Sequence, residues 1–553
     1  RDSMNICLTG NTFHPIAKGE LITGYNIAAS DLVNSFFNYS AENQIYCLYE
    51  PWQIQQAALE NMLRHEKVDS ERIHLISEYD LLFRGVSRLP KMDILHSVKE
   101  DAIPLISMRQ AMKSDIPVTF TLHGIAEQHL IMDFFYPMLL LPFKPYDAVI
   151  CTSESVRKTI ENMFHRLEDI VNRTLSVSSP IKHQIRLEKI PLGVDISNFK
   201  PLDKIRCRKK FGFETDEFII LWFGRFSDLF KADLFPLLHV FHKLLLNNKD
   251  KKLRLILAGS QDVGTDYAGK MYSEAQHIGI EKYVSIIFNH EIEKRSELYS
   301  ACDVFTSPID NIQETFGLTP VEAMACGVPQ VVSDWDGYRD TVGKETGFLI
   351  KTSWTNCMED IATADYLPSN VNRRRMLQCH LQVRSVAVDC TDYYEKLQLL
   401  IDKPHLRQAF SEASRRRAVE HFSLQNTVKQ TEALWCDLYE SASVSNGDFQ
   451  YMNIPMIDYC NDFQYYPTQM LKEEKIFEAT EYGKTTSVKE LLQYPIFNQT
   501  VEEAILPEYI MKYMLEVGSV SMSDVINKYS DFGESQVKRE IMYLYKYDMI
   551  RPV

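Results

Sequence analysis

Two glutamates, Glu314 and Glu322, lie eight residues apart in the stretch NIQETFGLTPVEAMACGVP. Thr319 and Glu322 have the spacing of a capping box, and Pro320 suits the first position of a helix. The stretch therefore predicts a helix that begins at the FGLT loop and ends near Gly327. The first N–H groups of a helix lack intrahelical partners and have partial positive charge, which suits a phosphate. Alternatively, Glu322 only caps its own helix, and the capping pattern taken alone favours that simpler interpretation.

Three further positions could take part in the same chemistry. Arg225 and Lys231 lie six residues apart in GRFSDLFKAD, after a strand-like run. A forked guanidinium and an ammonium group suit a diphosphate, although a solvated basic loop has the same composition. His123 follows the strand-like run PVTFTLHG, where a histidine more commonly has a structural role. Gly19, in the AKGE loop, would let the backbone approach a phosphate closely.

Strand-like and helical runs alternate along two stretches of the chain, which must position these residues. The strand-like runs are MNICLTG, QIYCLYE, RIHLISE, MDILHSV, PVTFTLHG and DAVICTS, then EFIILWFGRF, LRLILAG, VSIIF, DVFTSP and PQVVSDW. This alternation predicts an α/β protein with two doubly wound Rossmann-like domains, which bind ligands beyond the carboxyl ends of their strands. We expect an N-terminal domain at 4–205 and a second domain with closing helices at 206–445, facing each other across a cleft.

The end of the chain has a different character. SASVSNGDFQ is typical of a linker, and residues 446–553 contain 10 Lys and Arg against 17 Asp and Glu. Apolar residues at helical spacing in YIMKYMLEV and REIMYLYKYDM predict a small, mainly helical module, with a winged-helix arrangement as one form. Because its acidity argues against DNA binding, we expect the module to bind a protein partner or to self-associate.

The composition is that of a globular protein. The 553 residues are 45% hydrophobic and 24% charged, with a formal net charge of −15, whereas a nucleic-acid binder needs a basic surface. The 11 cysteines form no CxxC pair, which predicts reduced thiols and no zinc site. No apolar run reaches the roughly 20 residues that span a bilayer, and no signal peptide is visible. We therefore expect a cytoplasmic protein.

Three motifs together resemble the GT-B retaining glycosyltransferases of family GT4. They are GRFSDLFKAD, IPLGVDISNFKP and ETFGLTPVEAMACGVPQVVSDWDGYRDTV, and the resemblance extends over positions 4 to 440. The spacing of the two glutamates is a specific part of the pattern, and so is their order relative to the Arg/Lys loop. In this family a nucleotide-sugar donor lies in the cleft between the two domains, mainly on the second.

The resemblance implies roles for residues of the second domain. Arg225 and Lys231 would hold the diphosphate, while Glu322 would accept hydrogen bonds from the ribose and Glu314 from the hydroxyls of the donor sugar. The backbone of the loop would meet the sugar and the phosphates at Phe316, Gly317 and Leu318.

In the first domain, the resemblance places His123 near the reacting sugar. Gly19 would stand in for a glycine-rich loop of the family, but AKGELITG lacks the paired glycines found there. The chain also departs from the family in having Asp336 before Gly337, where a pair of glycines is common. This difference leaves the specificity for the sugar open.

The implied reaction is transfer of a hexosyl group from a UDP- or GDP-linked sugar to an acceptor. We expect it to proceed with retention of anomeric configuration and with neither a metal nor another cofactor. The acceptor is unknown and could be a glycan, a lipid, a protein or a small molecule. Three alternatives stay open: a nucleotide-sugar epimerase of the same fold, a sugar phosphorylase with a lysine-bound pyridoxal phosphate, and a catalytically silent scaffold acting through its C-terminal module.

Other charged segments are relevant to which acceptor the protein uses and to where in the cell it lies. Residues 155–189 predict a long helical segment of mixed charge, and VNRRRMLQCHLQVR and ASRRRAVEHF form basic clusters. Most such clusters are solvated helix faces, but a basic cluster could also bring the protein to an anionic membrane surface.

Overall fold

The computed structural model describes most of the chain. The described residues are 3–9, 24–40, 42–49, 71–78, 81, 85, 86, 89–176, 178–261, 264–288, 292–357, 359, 360, 363, 371–445, 449, 451, 452, 454, 456–493 and 501–553. They form two compact units, the first of which combines Arg1–Leu75 with Lys91–Gln450 and the second Ile76–Pro90 with Tyr451–Val553.

The N-terminal half of the first unit is built on a seven-stranded sheet of order β3-β2-β1-β4-β5-β6-β7. Its strands are β1 Asn5–Thr9, β2 Gln44–Tyr49, β3 Ile73–Ser77, β4 Ile94–Ser97, β5 Val118–Leu122, β6 Ala148–Cys151 and β7 Arg186–Lys189. The described registers from β2 through β7 are parallel. The helices of this half are Gly24–Tyr39, Ala102–Ala111, a π-helical turn at Ile131–Phe135, Tyr136–Leu140 and Glu154–Leu175.

The second half is a six-stranded sheet of order β10-β9-β8-β11-β12-β13, and each of its strand pairs is parallel. Its strands are β8 Phe218–Phe223, β9 Leu253–Gly259, β10 Val284–Phe288, β11 Val304–Ser307, β12 Gln330–Ser333 and β13 Gly347–Ile350. The central strand β8 is buried along its whole length, as expected for a parallel strand with helices on both faces.

The helices of the second half complete the two layers around this sheet. They are Lys204–Phe211, Phe235–Asn247, Tyr267–His277, a 3-10 turn at Glu281–Tyr283, Ile292–Ala301, Leu318–Ala325, Tyr338–Thr341, Val371–Val383, Cys390–Asp402 and Pro404–His421. Strands β14 Thr352–Trp354 and β15 Val386–Val388 pair antiparallel outside the main sheet. The prediction of two doubly wound sheets is thus confirmed.

Two strands of the main sheets were missed in the sequence. The segment 155–189, predicted as helical throughout, forms the helix Glu154–Leu175 and then β7, whose sequence is RLEK. This strand lies at the edge of the sheet and is half-buried to exposed, so it has no apolar run that would reveal it. Strand β13, GFLI, is the second one.

The long helix Leu424–Val444 returns from the second half to the first sheet. The Trp435 ring is fully buried and stacks on Phe36 at 5.0 Å between ring centroids, and its Nε1 donates to Thr119 Oγ1 at 3.1 Å. The sequence assigned this helix to the second domain, but its apolar face packs on the first one. The chain therefore joins the two halves at both ends, which limits how they can move relative to each other.

The second unit has its own apolar core. A three-stranded antiparallel sheet of order β17-β16-β18 comprises β16 Ile476–Ala479, β17 Ser519–Ser521 and β18 Ile550–Pro552. Its helices are Tyr459–Asp462, Glu481–Thr485, Val501–Val517, Met522–Lys528 and Glu534–Lys546, with 3-10 turns at Val488–Gln493 and Ser530–Phe532. The mainly helical character is confirmed, while the three strands are too short for a sequence pattern to reveal them. The winged-helix arrangement stays a prediction.

Within the described residues, every helix is too short or too polar to cross a bilayer.

The basic cluster ASRRRAVEHF is largely engaged in packing. Arg415 donates to the carbonyl oxygens of Phe199 and Ala325, both at 2.8 Å, and Arg417 to those of Thr341 and Asp340, both at 2.9 Å. Two of its arginines are therefore part of the fold.

Candidate active site

A cavity that is partly open to solvent lies between the two halves of the first unit. Its lining combines two residues of the first half, Ala28 and His123, with Leu192 and residues of the second half: Lys231, Arg295, Glu314, Thr315, Phe316, Gly317, Leu318, Thr319 and Glu322. Seven of the residues predicted from the sequence therefore meet around one cavity.

Two glycines allow the loop before the helix Leu318–Ala325 to fold tightly. Gly317 has φ +93°, and a Cβ there would lie 2.2 Å from a ring carbon of Tyr338. A Cβ on Gly337 would lie 2.4 Å from the Cα of Phe316. Tyr338 is fixed in turn, because its hydroxyl lies 2.9 Å from Ser307 Oγ. The backbone at Phe316–Leu318 is thus held against a rigid wall, with the start of the helix facing the cavity.

The predicted capping box does not form. The helix begins at Leu318 with Gly317 as N-cap and without a side-chain cap, so Pro320 is the third helical residue. Thr319 Oγ1 is buried and has no hydrogen-bond partner among the described residues. The capping prediction was wrong because a glycine with positive φ, and not Thr319, ends the loop.

Glu322 instead lies in a buried network. Its Oε1 is 2.9 Å from Arg295 Nη1, and its Oε2 accepts a hydrogen bond of 2.8 Å from the Tyr299 hydroxyl. Arg295 also lies over the rings of Phe199 and Phe223, at 5.3 and 5.7 Å from the centroids. Burial lowers the pKa of Arg295, but Glu322 outweighs burial and the net shift is upward. Burial, and then Glu322, raise the pKa of Tyr299.

Arg295 and Tyr299 were missed in the sequence analysis. They lie one helical turn apart in Ile292–Ala301, a helix whose EKRSE start resembles an ordinary solvated surface. Both reach the same carboxylate because residues four apart share a helix face. The i, i+4 spacing of Arg295 and Tyr299 indicates that they share a helix face. Their common partner, Glu322, lies at least 23 residues further along the chain, so only the fold reveals the contact.

Lys231 and Glu314 also line the cavity and form an ion pair, with both side chains 17% exposed. Burial lowers the pKa of Lys231, but Glu314 and Tyr338 outweigh burial and raise it overall, so the ammonium stays charged. The loop that bears Lys231 is fixed by Asn311, whose Nδ2 donates to the Lys231 carbonyl at 2.6 Å. The two predicted site residues thus neutralise each other, and an anion or a sugar hydroxyl entering the cavity would meet both.

Arg225 is beside this pair and does not line the cavity itself. Its guanidinium carbon is 5.9 Å from the centroid of the Phe230 ring, and the side chain is half-buried. Its positive charge lowers the pKa of Lys231, which places the two cations within electrostatic range of each other. Arg225 therefore adds positive potential at the edge of the site.

His123 lies at the carboxyl end of β5, on the first half of the cavity wall. Burial lowers its pKa to about 4, so the imidazole is neutral at neutral pH. Its carbonyl oxygen accepts a hydrogen bond of 2.9 Å from Thr315 Oγ1, and Thr152 Oγ1 donates to the Thr315 carbonyl at 3.3 Å. The loop between the two glutamates is therefore attached to both halves of the unit.

Asp336 has a left-handed backbone with φ +44° at the position where the sequence departs from the family pattern. Ser155 Oγ donates to its carbonyl oxygen at 3.1 Å. Burial, and then the charge of Glu314, raise the pKa of Asp336 well above its usual value. Asp336 thus lies where the two halves meet, because Ser155 belongs to the first half.

Gly19 lies outside the described residues, so its proposed place near a phosphate is untested. Over the described ranges, no three His, Cys, Asp or Glu side chains are grouped so that they could hold a metal ion.

The unfolding free energy should fall by about 2 kcal/mol for each of two buried histidines when the pH drops from 7 to 5. Burial lowers the pKa of His123 to about 4 and that of His96 to about 3. The unfolded chain binds these protons near pH 6.5, so stability is lost as the pH falls below 6.5. Chemical denaturation of H96Q at several pH values should show a shallower loss than the parent, whereas H405Q, at an exposed position, should match the parent. Equal slopes for H96Q and the parent would contradict the assignment.

Part of the second half is similar in sequence to a known protein family. Residues 203–373 match the family model described as glycosyl transferases group 1. The matched region contains Arg225, Lys231, Arg295, Glu314 and Glu322. For this part of the chain, the match confirms the resemblance to glycosyltransferases.

Several curated proteins are similar to this chain. The D-inositol 3-phosphate glycosyltransferase of Stackebrandtia nassauensis is 31% identical over 181 residues, which is 31% of this chain and 40% of the relative. The D-inositol 3-phosphate glycosyltransferase of Rhodococcus erythropolis is 26% identical over 185 residues, 32% of this chain and 41% of the relative. The chain thus spans about two fifths of the length of these relatives.

Solved structures support the fold. A glycosyltransferase from Rickettsia africae has a TM-score of 0.53 at 14% identity, covering 81% of this chain and 100% of that chain. Anabaena Alr3699/HepE in complex with UDP has a TM-score of 0.52 at 15% identity, covering 78% of this chain and 100% of that chain. The two sheets therefore form a GT-B fold, as predicted.

Proposed function

We propose that the protein transfers a hexosyl group from a nucleoside diphosphate sugar to a hydroxyl-bearing acceptor. The observation that best supports this function is the arrangement around one cavity of a charged lysine, two glutamates, a helix N-terminus and a neutral histidine. Glu322, Lys231 and the start of the helix Leu318–Ala325 all line this cavity. Together they offer acceptors for ribose hydroxyls and positive charge for a diphosphate.

The chemical step leaves negative charge on the departing diphosphate. Lys231, the N–H groups at Leu318 and Thr319, and the nearby Arg225 would stabilise that charge as the bond to the sugar breaks. Fixed donors in a partly desolvated site commonly give the largest electrostatic gain in an enzyme. Glu314 would then exchange its contact with Lys231 for a hydroxyl group of the sugar.

His123 would help to orient the sugar through a neutral ring nitrogen, because its low pKa prevents it from being a cation at neutral pH. Retention of configuration follows from the similarity to GT4 enzymes, with attack by the acceptor from the face of the leaving group. For the donor we favour a UDP-sugar, since HepE, of the same fold, was solved with UDP. For the acceptor, D-inositol 3-phosphate of the relatives is the first compound to test.

The test is a measurement of UDP binding by calorimetry, followed by hydrolysis and transfer assays with UDP- and GDP-sugars. We expect UDP to bind and a donor to be turned over, slowly with water and faster with the right acceptor. Product analysis without acceptor separates this function from that of an epimerase, which would isomerise the donor. A protein that binds neither nucleotide nor donor would be a scaffold, and the proposal would fail.

Donor turnover should survive exhaustive chelation. Lys231, Arg225 and the helix N-terminus together neutralise a diphosphate, so a divalent ion is not needed for that purpose. Turnover is measured before and after treatment with EDTA, with a manganese-dependent glycosyltransferase treated in parallel as the control. Loss of activity that manganese or magnesium restores would contradict the prediction.

The C-terminal module at 446–553 should affect assembly or acceptor use more than donor chemistry. The second unit has a separate apolar core and contains none of the residues that line the cavity. We expect a chain truncated after residue 445 to hydrolyse the donor at the parental rate but to change its mass in light scattering or its use of acceptor. Loss of hydrolysis in a folded truncated protein would instead make the module part of the catalytic architecture. A cytoplasmic location stays part of this proposal.

A further inference from the structure

A segment of about thirty residues is inserted at the edge of the second sheet. The antiparallel pair β14 and β15 brings Thr352 opposite Val388, so the chain between them leaves the sheet and returns to it. The described part of this segment includes the helix Val371–Val383. The insertion contributes no strand to either main sheet. It lies between β13 and the helix Cys390–Asp402 along the chain.

The inserted helix lies on the loop that leads to Glu314. Gln382 is buried, and its Nε2 lies 3.5 Å from the Asp310 carbonyl oxygen. Gln313 Nε2 lies 3.8 Å from the sulfur of Cys379, which is also buried. These contacts hold the helix beside the cavity, on the same loop that positions the donor-side glutamate.

From this helix, Arg375 reaches across to the first half of the unit. It forms an ion pair with Glu127, a residue of the loop that follows His123. The Arg375 guanidinium also lies 5.4 Å from the centroid of the Phe230 ring, next to Lys231. The Arg375 side chain is 47% exposed and that of Glu127 is 27% exposed, so solvent and solutes can reach both.

We infer that Arg375 binds an anionic group of the acceptor, which replaces Glu127 as its partner. The inference rests on the proposed function and identifies the class of acceptor for that site. A guanidinium has five N–H donors, and Glu127 occupies only part of this set, so a phosphate or carboxylate can enter beside it. The position suits an acceptor because Arg375 reaches the loop that follows His123 in the first half, through its ion pair with Glu127, whereas the residues assigned to the diphosphate, Arg225 and Lys231, lie in the second half.

The Glu127 carboxylate would then occupy the position on Arg375 that the anionic group of the acceptor takes when it binds. While the cleft is empty, its carboxylate keeps the guanidinium oriented and joins the inserted helix to the first half. An acceptor without an anionic group would have to compete with this pair and gain nothing from it. The pair therefore selects for charged acceptors.

The test uses the full-length protein saturated with UDP, so that the donor site is filled, and titrates inorganic phosphate as the probe. The readout is the increase in unfolding temperature on adding phosphate, relative to the same protein without it. In R375A the apparent affinity for phosphate should fall by about tenfold, the effect of losing a charged hydrogen bond. In E127Q it should rise, because the competing carboxylate is gone, and the double variant R375A/E127Q should behave as R375A does.

The matched control is R384A, which removes the same charge from an exposed position just beyond the inserted helix. It should respond to phosphate as the parent does. The alternative is that Arg375 only stabilises the contact between the two halves. In that case R375A will change the unfolding temperature without phosphate but respond to phosphate as the parent does, which overturns the inference. A weaker response in E127Q than in the parent overturns it as well.

The two proposals fail in different ways. A parent protein that does not bind UDP overturns the proposed function and this inference with it. A parent that binds UDP while R375A and R384A respond equally to phosphate overturns only the role of Arg375. Acetate in a parallel titration identifies the group: a response to phosphate alone assigns a phosphorylated acceptor, and a response to both assigns a carboxylate or a phosphate.

Discussion

Replacing Lys231 by Met should reduce kcat for the sugar donor by about 100- to 1,000-fold, the usual effect of removing one donor to developing negative charge. Lys231 lies in the cavity as a buried cation, and its raised pKa keeps it charged throughout the neutral range. A Met side chain has similar length but cannot stabilise the departing diphosphate. The measurement is single-turnover hydrolysis of a UDP-sugar, with the folded state checked by thermal unfolding.

The substitution also leaves Glu314 without its cation, so a second variant is needed. K231M/E314Q removes both charges, and we expect it to be as inactive as K231M while unfolding nearer to the parental temperature. K200M serves as the control, because Lys200 is exposed and belongs to no part of the cavity lining. Turnover by K231M within about tenfold of the parent would contradict the role assigned to this lysine.

Replacing Glu322 by Ala should lower the unfolding free energy by about 3–5 kcal/mol and abolish nucleotide binding. The loss of stability follows because Arg295 and the Tyr299 hydroxyl would be left buried without their partner, and breaking a buried pair costs about this amount. The side chains of Arg295 and Glu322 are only 10% and 4% exposed, so solvent can replace little of the lost interaction. Unfolding by urea and binding of UDP by calorimetry are the two measurements.

Stability and binding can be separated with two further proteins. In R295M/Y299F/E322L the whole network is apolar, which should restore much of the stability without restoring UDP binding. E217A breaks a different, partly buried pair, with Arg254 at 2.6 Å, and neither residue belongs to the lining of the cavity. It should lose stability but bind UDP as the parent does. If the apolar variant binds UDP normally, Glu322 supports the fold only and is not a ligand of the nucleotide.

The sequence by itself determined the fold class and brought most of the candidate site residues to one place. Strand β8, FIILWF, and the other apolar runs mark parallel strands because a strand buried on both faces must be apolar at every position. Likewise Lys231 lies in the loop after β8, and Glu314 lies in the loop after β11, and the carboxyl ends of parallel strands share one edge of a sheet. Residues placed there in the sequence meet in space without further information.

Other features were decided only by the tertiary structure. The predicted capping box does not form because Gly317, and not Thr319, is the N-cap of the helix. Glu322 instead contacts Arg295 and Tyr299, which a neighbouring helix brings to it. The helix Leu424–Val444 packs on the first sheet, although it follows the second along the chain, because Trp435 fits between Phe36 and Thr119. Arg375 and Glu127 are 248 positions apart in sequence and meet only across the cleft. Local patterns specify what a segment can form, whereas the choice among possible partners depends on which buried charges and apolar faces the whole fold brings together.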